Sequence, residues 1–236
     1  MGRAQFLTGL LAAVVVCGAV LGMRELAWLQ PLELVVYDQY QRLASPEPAS
    51  PSQVVVVEIG ERDIREQGHW PLSSTVLAAA LRVIAEAGPR AIGLDIYRDL
   101  PVEPGEAQLA RIFAEEPRII AVRKFGDFEG DAILGPPALE GSDPVGFNDV
   151  VPDPDTTVRR GLLFQNADDS EVDFAFALRV ALLALGIQPA PDPERPEWLR
   201  LGQTTLPPLE STDGGYVDLD AAGYQFLLDF GAGRAG

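Results

Sequence analysis

Three stretches decide how this chain folds: VVVVEIG (Val54–Gly60), AIGLDIY (Ala91–Tyr97) and RIIAVRKF (Arg118–Phe125). Continuous apolar runs this short, rich in β-branched residues, have the composition of strands buried on both faces. Between the first two, residues Thr75–Ala87 place Val76, Leu77, Ala80, Leu81 and Ile84 on one helical side. Ser73 or Ser74 can cap that helix, and Gly88-Pro89 stops it. Between the second and third runs, Glu106–Glu116 reads as another helix, closed by Pro117. Strands alternating with helices predict right-handed crossovers, and so an α/β fold: a mainly parallel sheet with flanking helices.

Beyond Phe125 the pattern loosens. Gly126–Pro154 is rich in turn residues, Val158–Gln165 reads as a further strand, and Phe174–Gly186 as a short apolar helix interrupted by Arg179. Pro189–Pro208 is proline-rich, and Tyr216–Leu219 and Tyr224–Phe230 are short strand candidates.

Towards the N-terminus, Phe6–Met23 carries no charge and only Thr8 as a polar side chain. As a helix it would span roughly 27 Å, close to the hydrocarbon thickness of a bilayer. A cleaved signal peptide would have a shorter apolar region and an A-x-A site; a lipoprotein signal would have a small residue before Cys17, where Val16 stands. A retained anchor, one N-terminal transmembrane helix, is therefore the expectation over a cleaved signal or a buried core helix. Arg3 precedes the run and the chain after Met23 is acidic, which predicts a cytoplasmic N-terminus and an exported remainder. Leu26–Leu43 reads as a helix continuing the anchor, with Leu32, Val35, Val36, Tyr40 and Leu43 on one face and Pro31 able to open it. PEPASPS (Pro46–Ser52) then forms a linker. The expected organisation is a cytoplasmic end (1–5), an anchor (6–23), a juxtamembrane helix and linker (24–52) and an extracytoplasmic domain (53–236).

The chain of 236 residues has a net charge of −17, with 23 glycines, 20 prolines and one histidine. Such a field disfavours nucleic-acid partners. Lys124 is the only lysine among 18 basic residues; with the abundant Ala, Gly and Pro, this points to a GC-rich bacterial genome. Cys17 is the only cysteine, so no intramolecular disulfide or thiolate metal site can form.

The search for chemistry leaves few candidates. EIGERD at the end of the first run lacks G-x-G-x-x-G, and neither a Walker loop nor a G-x-S-x-G elbow is present. His69, beside Trp70-Pro71, reads as a turn residue. Zinc ligands are too few, and Asp149, Asp153 and Asp155 lack the glycine and closing glutamate of a calcium loop. DIYRD (Asp95–Asp99) has the wrong spacing for a phosphatase D-x-D nucleophile. No catalytic residue, metal site or cofactor is expected. Glu58 and Asp95, near the carboxyl ends of the first two runs, are candidate ligand-binding carboxylates, because open parallel sheets bind ligands at that edge. The competing expectation is that they cap helices or pair with arginines.

Taken in order, LELVVYDQYQRL (Leu32–Leu43), VVVVEIGERDIREQGHWP (Val54–Pro71), AEAGPRAIGLDIY (Ala85–Tyr97), EAQLARIFAEE (Glu106–Glu116), GFNDVVPDPDTTVRR (Gly146–Arg160) and FALRVALLALG (Phe176–Gly186) form a pattern. It resembles the second type of CHASE domain, the bacterial cyclase/histidine-kinase-associated sensory extracellular domain, over about two thirds of the chain. Leu72 and Ser74 stand where that family usually has a tryptophan and an arginine, and Thr156 where it has glycine. The family's later G-x-I-V-L-I-G strand and membrane helices are not present, LLDFGAG (Leu227–Gly233) being the approach to them, so the chain is expected to be a truncated form. The resemblance implies a homodimeric receptor in the bacterial inner membrane, with this domain in the periplasm. It would bind an unknown extracytoplasmic ligand and drive an adenylate cyclase, diguanylate cyclase, histidine kinase or serine/threonine kinase. Leu32, Val36 and Tyr40 would belong to the helix coupling input to output. An anchored periplasmic hydrolase or ligand-binding protein, or a structural envelope protein, are the alternative expectations.

Overall fold

A computed structural model describes residues 2–43, 53–126, 130–139, 144–168 and 171–230; the PEPASPS linker lies outside them. The chain divides into two units, one of 1–52, 209–221 and 228–236, the other of 53–208 and 222–227.

In the first unit α1 (Arg3–Glu25) is exposed along its apolar length, and Gln5–Glu25 is long and apolar enough to cross a membrane. Helix α2 (Gln30–Leu43) follows after a turn in which Ala27 takes a φ of 59°. The expected continuous helix from Leu26 is therefore broken: a left-handed residue cannot propagate a right-handed helix. Hydrogen bonds tie this region to 209–221 and Leu228 within the same unit. Val217 N donates to Gln30 Oε1 (2.9 Å), Arg24 Nη2 to Gly214 O (3.2 Å) and Tyr37 Oη to Leu228 O (3.4 Å). Tyr216–Leu219, expected as a strand, instead forms turns closed by Tyr216 N to Asp213 O and Leu219 N to Ser211 O. Asp213 carries the preceding turn by accepting from Glu210 N at 2.8 Å, which a strand would not permit.

The second unit holds a parallel sheet of β1 (Ile92–Leu94), β2 (Ile119–Arg123) and β3 (Val145–Phe147), in that order. Helices α4 (Ser74–Glu86) and α5 (Glu106–Glu115) cover one face, joining Leu77, Leu81, Ala85, Leu109, Ile112 and Phe113 to Ile92, Leu94, Ile119 and Ala121 in one core. Of the two serines the sequence offered as caps, Ser73 accepts from Val76 N at the start of α4. Helix α6 (Phe176–Leu185) covers the other face. Its approach is close enough that a Cβ on Gly146 would lie 2.6 Å from the Phe176 Cα.

Two expectations fail here. Val54–Gly60 forms no strand: it leads into α3 (Glu61–Gln67), with Val54–Val57 65–85% exposed. The sheet also does not stay parallel. β4 (Val151–Pro152), β6 (Glu171–Phe174) and β10 (Tyr224–Leu227) each pair antiparallel with β5 (Val158–Asp168). β7 (Pro189–Pro191), β8 (Leu199–Leu201) and β9 (Thr204–Leu206) form an antiparallel meander. The fold is thus mixed α/β. Parallel neighbours need a long crossover, which α4 and α5 supply early on; after β3 the connections to β5 and between β7, β8 and β9 are too short for anything but reversal. Pro189 and Pro191 are tolerated because β7 lies at a sheet edge. Phe147, Leu163, Leu178, Leu182 and Leu199 make a second core, with Phe164 edge-on to Phe174 and Tyr224.

Candidate functional site

The carboxyl ends of the three parallel strands gather a polar ledge. Asp95 follows β1, and Asn148 follows β3. Asn148 Nδ2 donates to Asp95 Oδ1 (3.1 Å), while Tyr97 Oη donates to Asn148 Oδ1 (2.8 Å). The Asn148 amide is held from below by its own N–H on the Arg123 carbonyl at 3.1 Å. Beside it, Asp149 accepts from Phe125 N (3.0 Å), and Arg123 is ion-paired to Asp173. Asp95 neither caps a helix nor meets an arginine, and it stays exposed with its second oxygen uncommitted among the described residues. A carboxylate oriented by an amide offers a hydrogen-bond acceptor for a ligand; it does not provide a nucleophile with a base. Tyr97 and Asn148 escape a reading of sequence motifs, although their positions just past strand ends were the available signal.

Glu58 is not part of this ledge. It lies in the exposed stretch before α3 and makes no hydrogen bond or ion pair among the described residues. His69 holds its turn through Nδ1 against Pro71 O (2.9 Å).

Charge is buried elsewhere, in the PDPDTTVRR segment. Asp153, fully enclosed, accepts from Arg159 Nη1 (2.7 Å) and from Arg160 Nη2 (2.8 Å) and Nε (3.1 Å). Arg160 Nη1 also donates to Gln225 Oε1 (2.6 Å), which ties β5 to β10. Asp155 grips Arg159 from solvent with both oxygens, at 2.9 and 2.6 Å. The hydrogen bonds from Arg159, assisted by Thr157 N, hold the Asp155 carboxyl well below the ordinary aspartate range. These aspartates, weighed as calcium ligands from sequence, are engaged by arginines. Removing one member would strand charge in the interior, so this cluster serves the fold.

Arg98 is a second buried cation. It donates to Leu72 O (2.8 Å) and Ser74 Oγ (2.7 Å), and the Ser74 hydroxyl in turn donates a hydrogen bond to Glu106 Oε2 (2.7 Å). Burial depresses the Arg98 pKa, and the Glu106 charge opposes that. The chain of bonds locks the start of α4 to the start of α5 and to the loop after β1.

On α2, Leu34 is buried whereas Leu32, Val35, Val36, Tyr40 and Leu43 are all more than half exposed. The sequence-predicted face therefore exists as an apolar stripe open to solvent.

No curated protein and no solved structure matches the chain. The model of the CHASE2 domain family matches residues 12–234, almost the whole length. With its membrane-length helix, its helix-covered parallel strands and this match, the chain belongs to the CHASE2 domain family, a family of extracellular sensory domains.

Proposed function

We propose that this chain is the periplasmic input region of a homodimeric bacterial receptor in the inner membrane, passing a stimulus to a cytoplasmic cyclase or kinase. The observation that carries the reading is the open stripe Leu32–Val36–Tyr40 on α2, a few residues past the membrane-length α1. Isolated apolar side chains on a surface are ordinary; a continuous stripe at helical spacing marks an interaction face. A second α2, in parallel, is its natural occupant, since anchoring in one bilayer holds two such helices side by side. Asp95, on the ledge with Asn148 and Tyr97, is the proposed ligand contact, with Glu58 a lesser candidate because it stands apart. Ligand binding shifts the dimer equilibrium only as far as the two arrangements differ in affinity.

Val36→Cys, introduced with Cys17→Ser and oxidised in membranes, tests the dimer: a disulfide-linked pair is expected, and persistent monomer overturns it. A proline pair inserted beside Val36, in the longest reading frame containing this chain, should uncouple stimulus from output. Unchanged signalling would remove the coupling role of α2.

A further inference from the structure

The turn that ends α1 satisfies its own polar groups and leaves its apolar ones uncovered. It is a Schellman closure: Trp28 N donates to Met23 O (3.0 Å) and Ala27 N to Arg24 O (2.9 Å), with Ala27 left-handed at a φ of 59°. Leu26 N donates to Gly22 O (3.1 Å). The carbonyls of Gly22, Met23 and Arg24, which a helix end ordinarily leaves to water, are thus taken up by the turn itself. Backbone satisfied in this way can leave bulk water at little cost, whereas open carbonyls cannot.

The side chains divide in the same manner. Arg24 Nε pairs with Glu33 (3.3 Å) while its Nη2 donates to Gly214 O (3.2 Å), and Gln30 Oε1 accepts from Val217 N (2.9 Å). Leu26 and Trp28 are the opposite case, 64% and 71% exposed. Glu25, also exposed, keeps its carboxylate hydrated.

The place of the turn along the chain says what covers it. Gln5–Glu25, the 21 residues long and apolar enough to span, extend about 31 Å as a helix, close to the hydrocarbon thickness of a bilayer. Leu26 follows at once and Trp28 within the next turn, so both come at the boundary between acyl chains and headgroups. Tryptophan suits that layer because its ring is apolar and its indole N–H seeks a polar partner.

We propose that Leu26 and Trp28 seat in the interfacial layer of the bilayer that α1 crosses, with lipid as their partner. The seat rests on the anchor reading of α1. Attraction to anionic lipid plays no part in it, since the chain carries a net charge of −17 and Arg24 is already paired. Two chains seated at one depth start α2 at the same height, which brings their Leu32–Val36–Tyr40 stripes level.

The full chain in lipid nanodiscs, with Trp70→Phe and Trp198→Phe, keeps Trp28 as its only tryptophan and provides the test. Its emission should fall by roughly half with lipids brominated high on the acyl chain, and by less with lipids brominated near the chain end. Exchanging phosphatidylcholine for phosphatidylglycerol should change neither loss. Emission indifferent to bromine at both depths overturns the proposal, whether the ring lies in water or under a second copy. A loss that requires phosphatidylglycerol also overturns it, by making the contact electrostatic. Should the double variant misfold, fluorotryptophan in the unaltered chain reads the same depth. The fluorine resonance that Trp28→Phe removes should then broaden with a spin label on the lipid headgroup, and a resonance left sharp overturns the seat. A chain that does not enter nanodiscs removes the anchor reading together with the seat; one that enters with Trp28 in water removes the seat alone.

Discussion

Two runs of nearly the same composition meet opposite fates in this molecule. Ile119–Val122 lies in the central strand β2, at most 6% exposed, while Val54–Val57 is 65–85% exposed and belongs to no strand. Their side chains have similar intrinsic strand preference. What separates them is neighbours: β2 has β1 on one side, β3 on the other, and helices over both faces. The acidic residues repeat the lesson. Asp153 is enclosed by two guanidinium groups, whereas Glu58 has no partner among the described residues. Residue type sets what a position can contribute, and partners decide whether it does.

Breaking the better-partnered member of each pair should be costly. Asp153→Ala strands Arg159 and Arg160 in the interior and should cost about 3–5 kcal/mol in denaturant unfolding; a loss below about 1 kcal/mol would mean the cluster is solvated. Ile119→Ala should cost about 2–4 kcal/mol through transfer and cavity terms. Val55→Ala, measured alongside, should cost no more than about 1 kcal/mol, and equality of the two would show that the valine run is buried most of the time.

A smaller effect sharpens the account of the acidic turn. Thr156 has a φ of 65°, a left-handed conformation that is costly for a β-branched residue. Thr156→Gly should raise stability by roughly 0.5–1 kcal/mol, strain relief exceeding the added chain entropy of glycine. A loss on making this substitution would show that the threonine side chain contributes more than its backbone costs.

The smallest effect expected is at Asp155. Its carboxyl is held below the ordinary value by Arg159, so its contribution is fully present above the unfolded aspartate pKa and disappears as pH falls through the lower folded value. Asp155→Asn should therefore lower the melting temperature slightly at neutral pH, with the gap to the parent narrowing below about pH 4. A gap independent of pH would break the assignment.

Much of the fold was legible where the determining energies are local. Helix α4 begins at its Ser73 cap and ends by Gly88, and α5 spans Glu106–Glu115, one residue short of the expected stop. Strands β2 and β5 fall within their expected runs at the N-terminal end, with β5 continuing to Asp168. The Pro189–Pro208 stretch was opaque because its prolines suggest loop, and only the neighbouring β8 makes β7 a strand. The ledge was half legible. Asp95 could be placed by its position after an apolar run, but Asn148 reaches it only because β3 lies two strands away in the same sheet. The sequence places Glu58 beside Asp95 only if the Val54–Gly60 run is a strand of the sheet, and in this structure it is not.

By itself, then, the sequence determined a membrane-length apolar helix, the Ser73-capped helix α4 and the amphipathic α5, the apolar stripe on α2 and membership of a sensory family. Each of these is written in spacing along the chain, through caps, helical period and hydrophobic length. Tertiary structure decided the rest: the switch from parallel to antiparallel pairing, the enclosure of Arg159 and Arg160 around Asp153, the Asp95–Asn148–Tyr97 ledge and the exclusion of Val54–Val57 from the sheet. Those depend on free energies between residues far apart in the chain, where desolvation and pairing must be met together, and no single segment carries both sides of that balance.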